Sequence, residues 1–328
     1  MDSKLSFTKH IKEKISTARK GIGIIKHLAT YLPLKTRDQI YKIFVRPHLD
    51  YCDVIYHTPV ISNDYDSSQT LCHQMNTLER TQYHAALAVS GAWKGTNRNK
   101  IYEQLGWESL DQRRTFRRLT QFYKIMLNLT PGYLKTPIPL IQPHLFGYRG
   151  TNVLRTIFCR TVRYGNSFFP DSVNSWNNLG PELRGAPSLS IFKKDILKII
   201  RPVKRSVFNI FDHKGISWIF QLRVGLSSLK CHKKFHNFLD TPDDICQCTL
   251  SSESTNHFLL KCPLFDEHRT DLFRIVNPIL VMNNIALNDD EIVHLLLYGH
   301  EKLNLCENKN ILKATITFIN KTLRFSTF

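Results

Sequence analysis

The sequence predicts a mainly α-helical, multi-domain protein with a small β-containing middle segment and a compact Cys/His module towards the C-terminus. Three observations carry this. The chain has 328 residues, 42% of them hydrophobic, which is more than one ordinary core accommodates. Apolar residues recur at helical spacing along most of its length. Three of its eight cysteines and one histidine fall between Cys246 and Cys262.

In chain order, "FTKHIKEKISTARKGIGIIKHLATYLP" places Ile11, Ile15, Ile22, Ile25 and Leu28 on a helical repeat that ends near Pro33. "TRDQIYKIFVRPHL" reads as a second helix, capped by Thr36 and broken at Pro47. "SSQTLCHQMNTLERTQYHAALAVSG" is a third, stopped by Gly91, and "TNRNKIYEQLGWESLDQRRTFRRLTQFYKIMLNL" is one kinked helix or two. Residues 130–152 turn rich in proline and glycine, the clearest boundary in the chain. Beyond it, "VLRTIFCRTVRYGNSFFP" carries β-branched and aromatic residues in partial alternation, which predicts one or two short strands. "SVNSWNNLG", "SLSIFKKDILKII", "GISWIFQLRVGLSSLKCHKKFHNFL" and the tail from Glu267 to Phe328 return to helical patterns. The expected division is a helical segment 1–60, a helical linker domain 61–135, a Pro/Gly-rich linker 136–152, a mixed basic region 153–240, the Cys/His module 241–270 and a helical tail 271–328.

Charge narrows the classes of partner. Lys and Arg number 45 against 27 Asp and Glu, leaving +18, which favours an anionic partner such as nucleic acid or a membrane surface. No apolar run approaches the roughly 20 residues of a spanning helix, and "MDSKLSFTKHIKEK" lacks the apolar core of a signal peptide. The expectation is an intracellular chain, nuclear or cytoplasmic, with no membrane partner. In that reducing setting a tight Cys/His group reads as metal-binding rather than as disulfides.

Cys246, Cys248, His257 and Cys262 form the pattern C-x-C-x8-H-x4-C. Zinc prefers tetrahedral coordination, and three thiolates with one imidazole close such a site, which makes it structural rather than catalytic. One residue between the first two cysteines is tighter than the roughly two to four usual in zinc fingers, while the interval from His257 to Cys262 matches their helical ligand pair. Ser254 stands where it would cap a short helix. The spacing favours a zinc-knuckle-like module over the alternative, in which the cysteines are small buried apolar residues and His257 a satisfied core residue. Cys231, His232, His236 and His268 flank the group and are substitutes for any one ligand.

Between Lys193 and His236 stand 11 cationic residues, Lys193, Lys194, Lys198, Arg201, Lys204, Arg205, Lys214, Arg223, Lys230, Lys233 and Lys234, against Asp195 and Asp212. Interleaved Phe208, Phe211, Trp218, Phe220 and Phe235 suit stacking on unpaired bases while the cations meet phosphates. Taken singly each aromatic is better explained as core; the segment as a whole favours nucleic acid. Arg113, Arg114, Arg117 and Arg118 gather along one side of a helix, a common surface arrangement that points weakly to a partner.

Catalytic patterns are missing. Asp243-Asp244 and Asp289-Asp290 lie in "TPDDIC" and "LNDDEI", without the flanking apolar strands that aim paired carboxylates at two metal ions, and read as a turn and a helix cap. Gly21 and Gly23 in "KGIGII" lack the lysine and hydroxyl of a phosphate cradle and read as a flexible helix position. Neither a G-x-S-x-G elbow nor an H-E-x-x-H helix occurs.

Five segments, in order, carry a resemblance: "YKIFVRPHLDYCDVIY", "LERTQYHAALAVSG", "LGWESLDQRRTFRRLTQFYKIMLNLTPGYL", "RYGNSFFPDSVNSWNNLGPELR" and "CQCTLSSESTNHFLLKCPLF". Together, from about Phe7 to about Phe273, they resemble the region downstream of the catalytic core in reverse transcriptases of non-LTR, LINE-like retrotransposons of the jockey and chicken-repeat type. The resemblance implies a thumb followed by a C-terminal Cys-Cys-His-Cys knuckle, with the aromatic-x-Asp-Asp palm and the endonuclease upstream of this region. It implies a truncated fragment that binds element RNA or target DNA without polymerising, and it gives Asp50 and Asp53 no catalytic role. Lys9, Lys12, Lys14, Arg19 and Lys20 would face a phosphate backbone, and zinc would fix the knuckle. The competing expectation is a basic helical protein-interaction module with no nucleic-acid role.

Overall fold

The computed structural model describes residues 7–57, 68–138, 153–200 and 213–325. They are mainly helical, as the periodicity predicts, and no β-strand forms among them. Among the described residues no helix is long and apolar enough to cross a membrane. The chain divides into two compact units, one of Met1–Gly21, Lys42–Tyr83 and Gly106–Val203, the other of Ile22–Tyr41, His84–Leu105 and Lys204–Phe328.

Several boundaries follow from local chemistry. Helix α1 (Thr8–Leu28) is followed by α2 (Leu34–Ile40), whose N-cap is Pro33 rather than Thr36. The predicted break at Pro47 is corrected: a π-helical turn (Tyr41–Val45) leads into α3 (Arg46–Asp50), and Pro47 occupies the first turn of α3, where a missing N–H costs nothing. After α4 (Asp53–Tyr56), α5 (Ser68–Ser90) ends at Gly91, whose φ of +72° suits glycine. The next pattern is two helices, α6 (Arg98–Leu105) and α7 (Leu110–Met126), interrupted by Gly106 at φ +63° and restarted by a capping box of Ser109 and Gln112.

The first unit is centred on α7. Leu119, Phe122 and Tyr123 pack with Leu154, Val173, Trp176, Phe192 and Ile196, and the Tyr123 and Phe192 rings stack at 4.1 Å. Apart from Leu154, the residues facing α7 come from α9 (Phe168–Asn177), which the short α8 (Val162–Gly165) precedes, and from α11 (Leu189–Ile200), with the short α10 (Pro181–Arg184) between the two. The strands expected in "VLRTIFCRTVRYGNSFFP" are therefore a second correction. Residues 153–161 form no strand, Leu154 standing only in an isolated bridge, and the Asn177 carboxamide accepts from Leu154 N at 2.9 Å and donates to Leu154 O at 2.8 Å, so a side chain satisfies both of its backbone groups. Gly21 is corrected too: a Cβ there would lie 2.8 Å from Val45 Cγ2, so this glycine serves close approach rather than flexibility, whereas a Cβ on Gly23 would meet open space.

The second unit packs α12 (His213–Val224), α14 (Asp266–Met282) and α15 (Asp289–Tyr298) around α16 (Leu305–Thr322), burying Ile219, Val276, Leu296, Ile311 and Ile319. Asn288 and Asn304 each start a helix with a capping box, so Asp289 and Asp290 sit in the first turn of α15, as the cap reading predicts. The loop from α13 (Lys230–Phe235) to a π-helical turn (His257–Lys261) carries the Cys/His group.

Candidate metal centre and the basic residues

The first two cysteines come from a narrow loop. Ile245 and Ser252 form an antiparallel bridge, Cys246 N donates to Ser251 O at 2.9 Å, and Thr249, at φ +64°, returns its N–H to Cys246 O at 2.9 Å. This folds the chain back within four residues and turns Cys246 and Cys248 to one side. His257 comes from the following turn, where Ser254 Oγ accepts its N–H at 3.1 Å, the cap that the sequence predicts. Cys262 closes the turn, its N–H donating to His257 O at 2.7 Å.

One ligand atom from each of Cys246, Cys248, His257 and Cys262 lies within 4.8 Å of every other. The Cys246 and Cys262 sulfurs are 3.6 Å apart, and Cys248 Sγ is 3.2 Å from His257 Nε2. Zinc–sulfur bonds of about 2.3 Å at tetrahedral angles put ligand atoms roughly 3.5–3.8 Å apart, so the cluster is close enough to bind a metal ion and compatible with zinc. Its chemistry fits as well. Burial pushes the Cys246 thiol up and the Cys262 thiol up to about 12, and burial lowers His257, so the imidazole offers a lone pair while two thiols wait for a cation before ionising. At Cys248 burial also acts upwards, but hydrogen bonds, first that of the Leu250 backbone, bring it below the usual thiol range.

The flanking alternatives are engaged elsewhere. His232 Nδ1 meets Ser227 Oγ at 2.8 Å and its Nε2 meets Thr255 Oγ1 at 3.3 Å, while His236 Nε2 faces Gly225 O at 3.2 Å. Cys231 and His268 are not in the cluster. Sequence reading missed the supports: Ser251 Oγ at 2.7 Å from His257 Nδ1, and Arg269, which donates to Cys262 O at 2.6 Å and Leu259 O at 3.0 Å. Serine and arginine carry no spacing signal that distinguishes these roles.

The basic segment is spread over both units. Arg201, Lys204 and Arg205 lie outside the described residues, as do Phe208 and Phe211. Lys194 and Lys198 are exposed on α11 and Lys193 half-buried, with Lys198 bonded to Asp195 at 2.7 Å. Arg223 is committed to structure, donating to Leu297 O at 2.7 Å and stacking on Tyr298. Lys230, Lys233 and Lys234 pair with Asp243, Asp240 and Asp244 at 3.1, 2.8 and 2.8 Å, and these hydrogen bonds hold the three carboxyls below their usual range. Phe220 is buried and Phe235 is 80% exposed.

The arginine row on α7 is not a surface stripe. Arg114 and Arg118 are buried, and Arg113 and Arg117 reach Asp50 at 2.6 and 2.9 Å, with Arg117 also on Asp53 at 2.8 Å. Asp50 and Asp53 are thus consumed by guanidinium groups. Along α1, by contrast, Lys12, Arg19 and Lys20 take no carboxylate partner among the described residues and line a groove of about 560 Å³ with Ile15, Ser16 and Thr77. Comparison with protein families, with curated proteins and with solved structures finds no match.

Proposed function

We propose that this chain binds single-stranded nucleic acid, RNA or DNA, as the thumb and C-terminal part of a LINE-like reverse transcriptase, and that it does so without itself polymerising. The observation that carries the reading is the unpaired cationic groove of Lys12, Arg19 and Lys20, in a chain with a net charge of +18. Unpaired cations at a groove release counterions from a phosphate backbone, whereas Lys230, Lys233 and Lys234 must first leave a carboxylate. The ordered sequence landmarks support the family reading. Saturation of Asp50 and Asp53 by arginines supports a positioning role over metal-dependent phosphoryl transfer. Zinc is the metal that suits a Cys₃His set, and its role here is to fix the knuckle.

The test is fluorescence anisotropy of the full chain with unstructured RNA and DNA oligonucleotides across a salt series. Lys12→Gln, Arg19→Gln and Lys20→Gln together should flatten the slope of log affinity against log salt by about two, given about 0.7 per phosphate on single strands. Primer extension on an RNA template should stay at the mock level. A second reading, a protein-interaction module, is favoured by Ile43, Phe44, Tyr51 and Ile55, which are 54–62% exposed in the first unit. Salt-independent affinity, or no affinity for any oligonucleotide, would select it.

A further inference from the structure

Glu253 stands between the cysteine loop and the histidine turn, and its side chain is 3% exposed. Its N–H donates to Asp244 O at 2.7 Å, and its Oε2 accepts from Lys230 N at 2.8 Å. The charge is met by Arg324, which lies just beyond α16: Nε reaches Oε1 at 2.6 Å and Nη2 reaches Oε2 at 2.7 Å, a bidentate pair, while Nη2 also donates to Ser228 O at 3.0 Å. Leu323, at φ +51°, turns the chain out of α16 to make this contact. The next residue, Phe325, is buried with its ring 5.5 Å from Phe258, the neighbour of His257, and 6.0 Å from Trp218. Two consecutive side chains from a segment more than 60 residues away in sequence therefore grip both ends of the Ser254 to Phe258 turn.

We propose that this segment is a latch on the Cys/His element, with Arg324 as a positioning residue that sets how tightly metal is retained by Cys246, Cys248, His257 and Cys262; the inference rests on reading those four as a metal site. The physical link is short. Without Arg324 a buried carboxylate loses its counter-charge and must move towards water. Glu253 cannot move without shifting Ser254, whose hydroxyl fixes the His257 N–H, and Ser251, which faces the His257 ring. The cysteine loop is thereby coupled to the C-terminal segment, and the metal site is an integral part of the second unit.

The experiment uses the full chain loaded with zinc, and in parallel with cobalt(II), whose visible spectrum reports tetrahedral sulfur coordination. Zinc release to a chromophoric chelator is timed for the parent, Arg324→Ala, Arg324→Lys and Phe325→Leu at a temperature where far-UV circular dichroism is the same for all. The latch predicts release about tenfold faster for Arg324→Ala, the scale seen when supports around metal ligands are removed, with Arg324→Lys in between and a weakened cobalt band. Should Arg324→Ala fail to fold, Arg324→Lys and Phe325→Leu are judged by the same criterion. Equal release rates, with the parent loaded, overturn the latch while leaving the metal site standing. A parent that retains neither zinc nor cobalt overturns both.

Discussion

Ser251 Oγ stands 2.7 Å from Nδ1 of His257, on the side of the ring opposite the cysteine sulfurs. With Nε2 turned towards Cys248, the useful tautomer has its proton on Nδ1, donated to the serine hydroxyl. Ser251→Ala removes that acceptor without touching a ligand. It should weaken zinc retention about tenfold in chelator competition while the stoichiometry stays at one. Retention equal to the parent would mean that the ring is held by packing alone.

The same four residues make metal binding pH-dependent in a definite direction. Burial holds the Cys246 and Cys262 thiols above their usual range, so loading must expel their protons. Zinc affinity should fall steadily as pH is lowered from 8 to 6, and loading in weak buffer should release protons. Calorimetry in buffers of different ionisation enthalpy counts them. A pH-independent affinity would place the metal on other ligands.

His57 gives the first unit an acid sensitivity of its own. It is 3% exposed, its Nδ1 has no hydrogen-bond partner among the described residues, and burial, aided by Arg114 and Arg118, lowers it to about 3. The unfolded chain takes up this proton near pH 6.5 and the folded one resists it, so stability is full above pH 6.5 and is lost as pH falls towards 3. The slope is about 1.4 kcal/mol per pH unit for one such histidine. Urea titrations at pH 7 and pH 5 should show the loss in the parent, and His57→Gln should flatten it. His232, which burial lowers to about 4, adds the same sign in the second unit.

How much of this was legible in the sequence depends on the range of the interaction. Helix periodicity, the stop at Gly91 and the Ser254 cap are local, and the structure agrees with them. The Cys/His group was legible because its ligands are close in sequence as well as in space. What failed was non-local. Strand propensity at 153–161 lost to the Asn177 side chain, 23 residues away from Leu154. The four arginines of α7 look like a solvated face until Asp50, Asp53 and Asp171, from three other helices, arrive to pair with Arg113, Arg117 and Arg118, and the Leu49 carbonyl accepts from the buried Arg114. The lysines of the basic segment look like free charge in the sequence, but "DTPDD" pairs with three of them.

Gly21 and Gly23 differ by two positions in α1 and should differ in sign on substitution. Alanine normally stabilises a helix interior over glycine by roughly 0.5–1 kcal/mol. Gly23→Ala meets nothing within 4 Å and should gain about that much. Gly21→Ala drives a methyl to 2.8 Å from Val45 Cγ2 and should lose about 1–3 kcal/mol. Adding Val45→Ala to Gly21→Ala should recover part of the clash. Equal thermal shifts for the two glycines would show that the contact with Val45 is slack.

Arg118 and Asp171 form an ion pair inside the first unit, with side-chain exposures of 2% and 18%. Arg118 also donates to Val54 O at 3.1 Å and Asn166 O at 3.3 Å, so one guanidinium joins α4, α7 and the loop before α9. Burial lowers the arginine and raises the aspartate despite their contact, so for each partner desolvation outweighs the attraction it receives. A pair of this kind is costly to break and cheap to delete. Asp171→Leu leaves a buried cation short of its counter-ion, and Arg118→Met leaves a buried anion; each should cost about 3–5 kcal/mol in urea denaturation. Arg118→Met with Asp171→Leu removes both charges and should cost clearly less than the sum of the singles, giving a coupling of several kcal/mol. The backbone acceptors at Val54 and Asn166 lose their donor in both Arg118 variants and cancel from the cycle. Additive costs would mean that the aspartate is already hydrated, and that the guanidinium is held by the carbonyls alone.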